Sequence, residues 1–198
     1  MQMMKLGRPL EFDPEEALAA ATRVFWIKGY EATSTKDLMD AMGLSKSSLY
    51  QTFGSKKQLF MRALAHYCNA STKRERAKLN GQMPDKEFVV AMLRDLGDPD
   101  RYPEDPRGCL LMNSTIELGK RDQEVGAFVD ERAKMSLAMF EGVIRRAQEE
   151  GEISPDKSAA GLAGMLVVSV HGLKAMSRLN VDKAVLQSAV EEIINRLE

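Results

Sequence analysis

Three helix-start signals crowd into the stretch from Thr33 to Phe60, TSTKDLMDAMGLSKSSLYQTFGSKKQLF. Ser34-Thr35-Lys36-Asp37 and Ser55-Lys56-Lys57-Gln58 each set a hydroxyl three residues ahead of a side chain that can reach back to it, and Ser45 opens another helix between them. Gly43 ends the first helix with a residue that takes the positive φ of a tight turn. The two helices so delimited are too short to persist alone in water, so they must pack on their neighbours. Leu38, Met39 and Met42 on the first, and Leu49, Tyr50 and Phe53 on the second, are the apolar residues available for that packing. The spacing is that of a helix-turn-helix.

The rest of the chain reads as helix too. Asp13 can cap a helix whose first position is Pro14 and whose Glu16 completes a capping box. Ala17, Leu18, Ala21, Val24, Phe25 and Ile27 form its apolar face, and Gly29 stops it. Leu59, Phe60, Ala63, Leu64 and Tyr67 continue a long helix to about Leu79, before Asn80-Gly81. Five more helices follow: Pro84 to Leu96, Arg107 to Leu118, Gln123 to Glu150, Asp156 to Leu179 and Asp182 to Leu197. A polar loop rich in proline and aspartate, from Gly97 to Pro106, lies among them. No run alternates with period two, so the fold expected is all-α with about nine helices. The chain divides into a helix-turn-helix domain over 1–54 and a larger helical domain over 55–198.

Charge narrows the partner. The formal net charge is −1, yet Met42 to Leu79 carries Lys46, Lys56, Lys57, Arg62, Lys73, Arg74, Arg76 and Lys78 against one acid, Glu75. A local positive surface is what a phosphate backbone responds to. The first turn of the second short helix, Ser45-Lys46-Ser47-Ser48, is small or basic and unsuited to a core; in a helix-turn-helix that turn meets base edges in the major groove. An enzyme is not expected: the only histidines are His66 and His171, and there is no glycine-rich phosphate loop. Cys68 and Cys109 make neither a disulfide framework nor a cluster with metal-ligand spacing, so no metal or cofactor is expected. The N-terminus lacks the apolar core of a signal peptide, and the uncharged stretch Ser158 to Leu173 falls short of a membrane span. These features place the chain in the cytoplasm without a membrane partner.

The pattern Gly-x-x-x-Thr-Ser followed by Gly-Leu-Ser-x-x-x-Leu-Tyr-x-x-Phe-x-x-Lys resembles the DNA-binding domain of the TetR family of bacterial transcriptional regulators. Phe25, Gly29, Tyr30, Thr33, Ser34, Leu38, Ala41, Gly43, Leu44, Ser45, Ser48, Leu49, Tyr50, Phe53, Lys56, Leu59 and Phe60 carry the match, over about the first third of the chain. The resemblance implies a homodimeric repressor on double-stranded operator DNA, released by a small-molecule inducer or by thiol modification. It implies phosphate contacts from Tyr50 and Lys56. Lys46, Ser47, Ser48 and Gln51 could reach bases, with Ser45 opening the same turn. Thr33, Ser34 and Thr35 offer hydroxyls or amides to the DNA backbone at a helix N-terminus, and Arg8, in Gly7-Arg8-Pro9, suits a minor-groove arm.

For the larger domain the resemblance implies an interior inducer site and a dimer surface from the last two helices. The helix after Asp156 is apolar nearly all round, so it must be buried on more than one side. Leu162, Leu166, Val170, Leu173, Leu186, Val190 and Ile193 are the dimer residues expected. Met92, Met112, Met135 and Met139, flexible and polarizable, suit an adaptable pocket, with Asn113, Ile116 and His171 beside them. Cys109 lies in the run Pro106-Arg107-Gly108-Cys109-Leu110-Leu111-Met112-Asn113, which resembles a TetR subgroup with members responding to electrophiles and oxidants. A thiol near a helix N-terminus and close to Arg107 gains acidity and reactivity.

Overall fold

The computed structural model describes residues 12–78, 83–98, 108–176, 179 and 181–198, with side chains in the long fourth helix described as far as residue 73. Arg8, the polar loop 99–107 with Arg107, and the turn at Asn80-Gly81 lie outside the described residues. Among those described the chain forms nine helices and no strand: α1 (Pro14–Lys28), α2 (Thr35–Met42), α3 (Lys46–Phe53), α4 (Lys56–Lys78), α5 (Asp85–Leu96), α6 (Leu110–Leu118), α7 (Gln123–Glu149), α8 (Ala159–Met176) and α9 (Lys183–Asn195).

Two compact units emerge, Met1–Tyr67 and Cys68–Glu198. The expected boundary at 54/55 is therefore displaced into α4. The reason is aromatic packing. Leu59, Phe60, Ala63 and Leu64 from the first half of α4 are fully buried with Phe25 of α1, Leu38 of α2, and Leu49 and Phe53 of α3. Phe60 meets Phe25 edge-on at 5.1 Å between ring centroids and Tyr30 at 4.8 Å, and Trp26 meets Tyr67 at 4.8 Å. Each such ring contributes about 1.5–3 kcal/mol by leaving water. The three short helices cannot supply that core without the start of α4. Ile27, expected on the inward face of α1, is exposed instead.

In the larger unit α7 packs along α8, while α5 lies against α7, α8 and α9. Phe88, Leu93, Phe140, Val143, Ile144, Ile153, Leu166, Leu186, Val190 and Ile194 share one core. Two helix starts fall later than the sequence suggests. Gly108 at φ +67 and an extended Cys109 hold the chain out of helix until Leu110. After Gly151 the side-chain amide of Gln148 donates to the carbonyls of Ser154 and Lys157, both at 2.9 Å, so the turn persists until Ser158 accepts the Gly161 N–H at 3.1 Å and α8 begins at Ala159.

The residues expected at the dimer surface divide by burial. Leu166, Val170 and Leu173 of α8, and Leu186 and Val190 of α9, are buried within the unit's own core. Their side chains are largely covered by that core. Leu162 and Ile193 are half-buried at the core's edge. The other face of α8 carries Ala160, Gly161, Val168, Gly172, Ala175 and Met176 in solvent, with Val168 73% exposed, and Val185 of α9 is exposed as well. By length and composition α8 would pass as a membrane span; its Ala159, Ala163, Leu166, Val170 and Leu173 pack in this core instead.

Candidate nucleic-acid interface

The turn between α2 and α3 is built by Gly43. Its φ of 64° and ψ of 30° are left-handed, and both its own N–H and that of Leu44 turn back to the Met39 carbonyl, the latter at 3.1 Å. Leu44 then buries its side chain and leads into Ser45. Any residue with a Cβ would strain this position.

α3 divides its surface sharply. Leu49 and Phe53, four residues apart, are its two buried side chains. Lys46, Ser47 and Gln51 are exposed, and Tyr50 is 40% exposed. Ser45 caps the helix by accepting the Ser48 N–H at 3.2 Å, and its hydroxyl also lies 3.0 Å from that of Ser47 and 2.9 Å from that of Ser48. The three serines thus form a small hydroxyl cluster beside Lys46. From α4, Arg62 Nη1 donates to the Thr52 carbonyl at 3.1 Å and its Cζ lies 5.8 Å from the Phe53 ring centre, so a cation caps the C-terminal end of α3. In the sequence Arg62 is one more positive charge, because a contact between two helices leaves no periodic signal.

The start of α2 corrects one assignment and refines two. Thr33 is 1% exposed, and its hydroxyl donates inward to the Gly29 carbonyl, so its side chain is structural and not available to DNA. Ser34 is the N-cap. Its hydroxyl accepts the Asp37 N–H at 3.1 Å, while Asp37 Oδ2 accepts the Ser34 N–H at 2.9 Å and lies 2.8 Å from its hydroxyl. The Ser34 amide is therefore already occupied, although its side chain stays exposed. Lys28 of α1 donates to Asp37 Oδ1 at 2.6 Å. That bond first, and then those from Ser34, hold the Asp37 carboxyl far below the usual carboxylate range. Thr35 Oγ1 lies 3.4 Å from the Tyr50 hydroxyl, which brings α2 and α3 together at one polar point.

The helix N-termini carry a charge signature. α1, α2, α5 and α7 have acids in their first turns, as the helix dipole favours. α3, α4, α6, α8 and α9 have none; α3 and α4 begin with Lys46 and with Lys56-Lys57, and α9 with Lys183. Cations there oppose the dipole, an arrangement that an incoming anion relieves. Ser55 and Gln58 form the expected capping box around Lys56, at 2.8 and 3.1 Å. The Lys56 ammonium stands 4.5 Å from the centre of the Tyr30 ring.

This helix-turn-helix with a polar outer face is matched by a family model. Residues 17–63 match the model for bacterial regulatory proteins of the tetR family, and residues 89–193 that for the tetracyclin repressor-like C-terminal domain. The chain belongs to the TetR family. It is 29% identical over 194 residues, 98% of its length and 100% of the relative's, to the uncharacterized HTH-type transcriptional regulator YezE of Bacillus subtilis (strain 168). It is 28% identical over 173 residues, 87% of this chain and 82% of the relative, to the HTH-type transcriptional repressor ComR of Escherichia coli (strain K12). Among solved structures, a cysteine mutant of the TetR-family regulator CifR, complexed with 26-base-pair double-strand operator DNA, superposes with a TM-score of 0.84 at 31% identity, covering 97% of this chain and 100% of that one. The protein is accordingly a DNA-binding transcriptional regulator and not an enzyme.

In this TetR-family chain the residues expected around an inducer scatter. Met92 belongs to the core of the larger unit and Met139 packs against that core. Met112 and Asn113 are half-buried on α6. Met135, 47% exposed, and Ile116, 83% exposed, face solvent and cannot line an interior pocket. Ile116 instead edges an open groove of about 530 Å³ between α6 and α7, shared with Thr115, Gly119, Lys120, Arg121, Gly126, Val129 and Asp130. His171 is half-buried, with Nδ1 shielded from water and no hydrogen-bond partner among the described residues. Cys109 is the N-cap of α6 and only 6% exposed.

Proposed function

We propose that the protein is a homodimeric repressor that grips its operator through two copies of α3. The division of α3 into a buried pair, Leu49 and Phe53, and an exposed face with Lys46, Ser47 and Gln51 carries this reading. Lys46 and Gln51 are chemically suited to guanine and adenine edges, respectively. Ser34, Thr35, Ser48, Tyr50 and Lys56 serve the phosphate backbone, and one phosphate oxygen between the Thr35 and Tyr50 hydroxyls would satisfy both. Arg8 is assigned to the minor groove on its Gly7-Arg8-Pro9 context in the sequence. Operator binding by CifR at 31% identity and repression by ComR at 28% support the same function here.

Two copies are needed because one such unit touches too few bases. The exposed apolar face of α8, around Val168 with Gly161 and Gly172, together with Val185 of α9, supplies the dimer surface. Small residues let two helices approach closely, and burying that face removes the solvent cost of Val168. The two reading helices then fall about one turn of DNA apart, roughly 34–36 Å.

Release follows a population shift. An inducer held by the larger unit binds the DNA-free state better and thereby draws the protein off its operator. The burial of Cys109 favours a small molecule over direct thiol attack. The protein works in the cytoplasm, where its DNA is.

The test is fluorescence anisotropy of the purified protein with duplex DNA from upstream of its own gene, over a salt series. Tight binding that resists excess nonspecific DNA and weakens with salt is expected. Failure to bind there or to any fragment in a genomic selection would sink the proposal.

A further inference from the structure

We infer that Tyr30 is a positioning residue for DNA binding: its ring face holds the Lys56 ammonium in place for a phosphate. The inference rests on the regulator reading above and assigns a role to Tyr30 that acts through Lys56.

The geometry has two parts. Lys56 Nζ lies 4.5 Å from the Tyr30 ring centre, well inside the distance at which an ammonium is attracted by the negative face of an aromatic ring. The ring itself is anchored. Tyr30 packs on Phe60 at 4.8 Å and stacks with Phe25 at 6.3 Å, and those two rings are themselves fully buried and in edge contact. A side chain with four rotatable bonds is thus tethered to the buried aromatic core of the unit.

Lysine ordinarily loses much rotamer freedom when it grips a phosphate. Here part of that freedom is lost beforehand, in the folded protein, so binding costs less. The lysine also sits in the first turn of α4, where the dipole repels it and no acid lies in the same turn. The ring face is the attraction that keeps it there. An ammonium bound on one side by a ring keeps its other N–H groups for an anion.

A double-mutant cycle tests this, read by anisotropy on two duplexes, the operator fragment and a mixed-sequence duplex at low salt. Phosphate contacts act on both. Lys56→Met is expected to weaken binding and reduce the salt slope by about 1.8, one phosphate contact from each protomer of the dimer. Tyr30→Leu is expected to weaken binding about threefold to tenfold while leaving the slope unchanged, because the lysine charge remains. In the Lys56→Met background Tyr30→Leu should cost less than about twofold. Tyr30→Phe keeps the ring face and should bind as the wild type does. Tyr30→Leu also removes packing, so a second series guards against loss of fold. Phenylalanine and its increasingly fluorinated analogues at position 30 keep the ring's shape while draining its negative face, and affinity should fall stepwise with fluorination. Equal affinity across that series, or an undiminished Tyr30→Leu effect in the Lys56→Met background, would overturn the inference and leave the regulator reading standing. A wild-type protein that binds neither duplex would overturn both.

Discussion

α3 and α8 show how differently two helices expose their purpose. α3 is short, with two buried side chains and a polar remainder, and its outward face is fixed by the spacing of Leu49 and Phe53 alone. α8 is apolar around most of its circumference. Its core-facing residues Ala163, Leu166, Val170 and Leu173 and its outward Val168 are chemically alike. Periodicity reports a face only where the residue types differ across it. In α3 the contrast is strong and the functional face follows from sequence. In α8 the contrast is absent, and only the packed structure separates core from surface.

The sharpest break of that contrast is a charge on the outer face of α8. Val168→Glu should leave the protomer folded, since the side chain is in solvent, yet abolish dimerisation. Operator affinity should then fall by two orders of magnitude or more, because a single reading head contributes only part of the site. Sedimentation equilibrium with anisotropy checks both. A Val168→Glu protein that remains dimeric would move the interface elsewhere. Leu166→Ala, on the inner face, should do the reverse. It removes a fully buried leucine, costs about 2–5 kcal/mol of stability in denaturant titration, and leaves association of the folded molecules intact.

On α3 the paired test is chemical. Lys46→Ala should change which operator variants bind best, with a penalty of about 1–3 kcal/mol concentrated at one base pair. Tyr50→Ala should weaken all sequences alike. An unchanged preference profile for Lys46→Ala would remove Lys46 from the base-reading set.

The same contrast explains what the sequence revealed. The helix order, the turn at Gly43 and the caps at Ser34, Ser45 and Ser55 were all legible, because each depends on neighbours within four residues. Ile27, Ile116 and Met135 were misplaced because an apolar side chain near the end or edge of a helix obeys no local rule about exposure. Thr33 was misread for a related reason. A hydroxyl beside a helix start can serve DNA or the chain itself, and only its burial and its bond to the Gly29 carbonyl decide. The boundary within α4, the Arg62 cap on α3 and the Tyr30–Lys56 contact are tertiary, and no spacing announces them.

A smaller effect separates cap from contact at Ser45. Ser45→Ala removes the acceptor for the Ser48 N–H and should cost about 1 kcal/mol of unfolding free energy. Ser47→Ala should leave stability nearly unchanged, as its exposed hydroxyl only joins the cluster. If Ser47→Ala destabilises as much as Ser45→Ala, the cluster acts as one structural unit and its serines are poor candidates for base reading.

The smallest effect is a pH response at the base of α2. Asp37 titrates well below an ordinary carboxylate, mainly through its bond to Lys28 and next through Ser34. Its folded value lies below its unfolded value near 4, so the stability it lends is complete above that pH and is lost as the pH falls through the acid range toward the folded value. Nothing from this group changes between pH 5 and 8. Wild type and Asp37→Asn should therefore differ by a constant amount at neutral pH and converge in acid. Lys28→Met keeps the capping box and removes the main cause, so it should move the Asp37 titration upward without abolishing the shift. Carbon-detected NMR of the carboxyl group reads this directly. An Asp37 that titrates near 4 in the wild-type protein would mean that neither the Lys28 bond nor the Ser34 capping bonds persist in water, and the α1–α2 junction would then owe its order to buried packing.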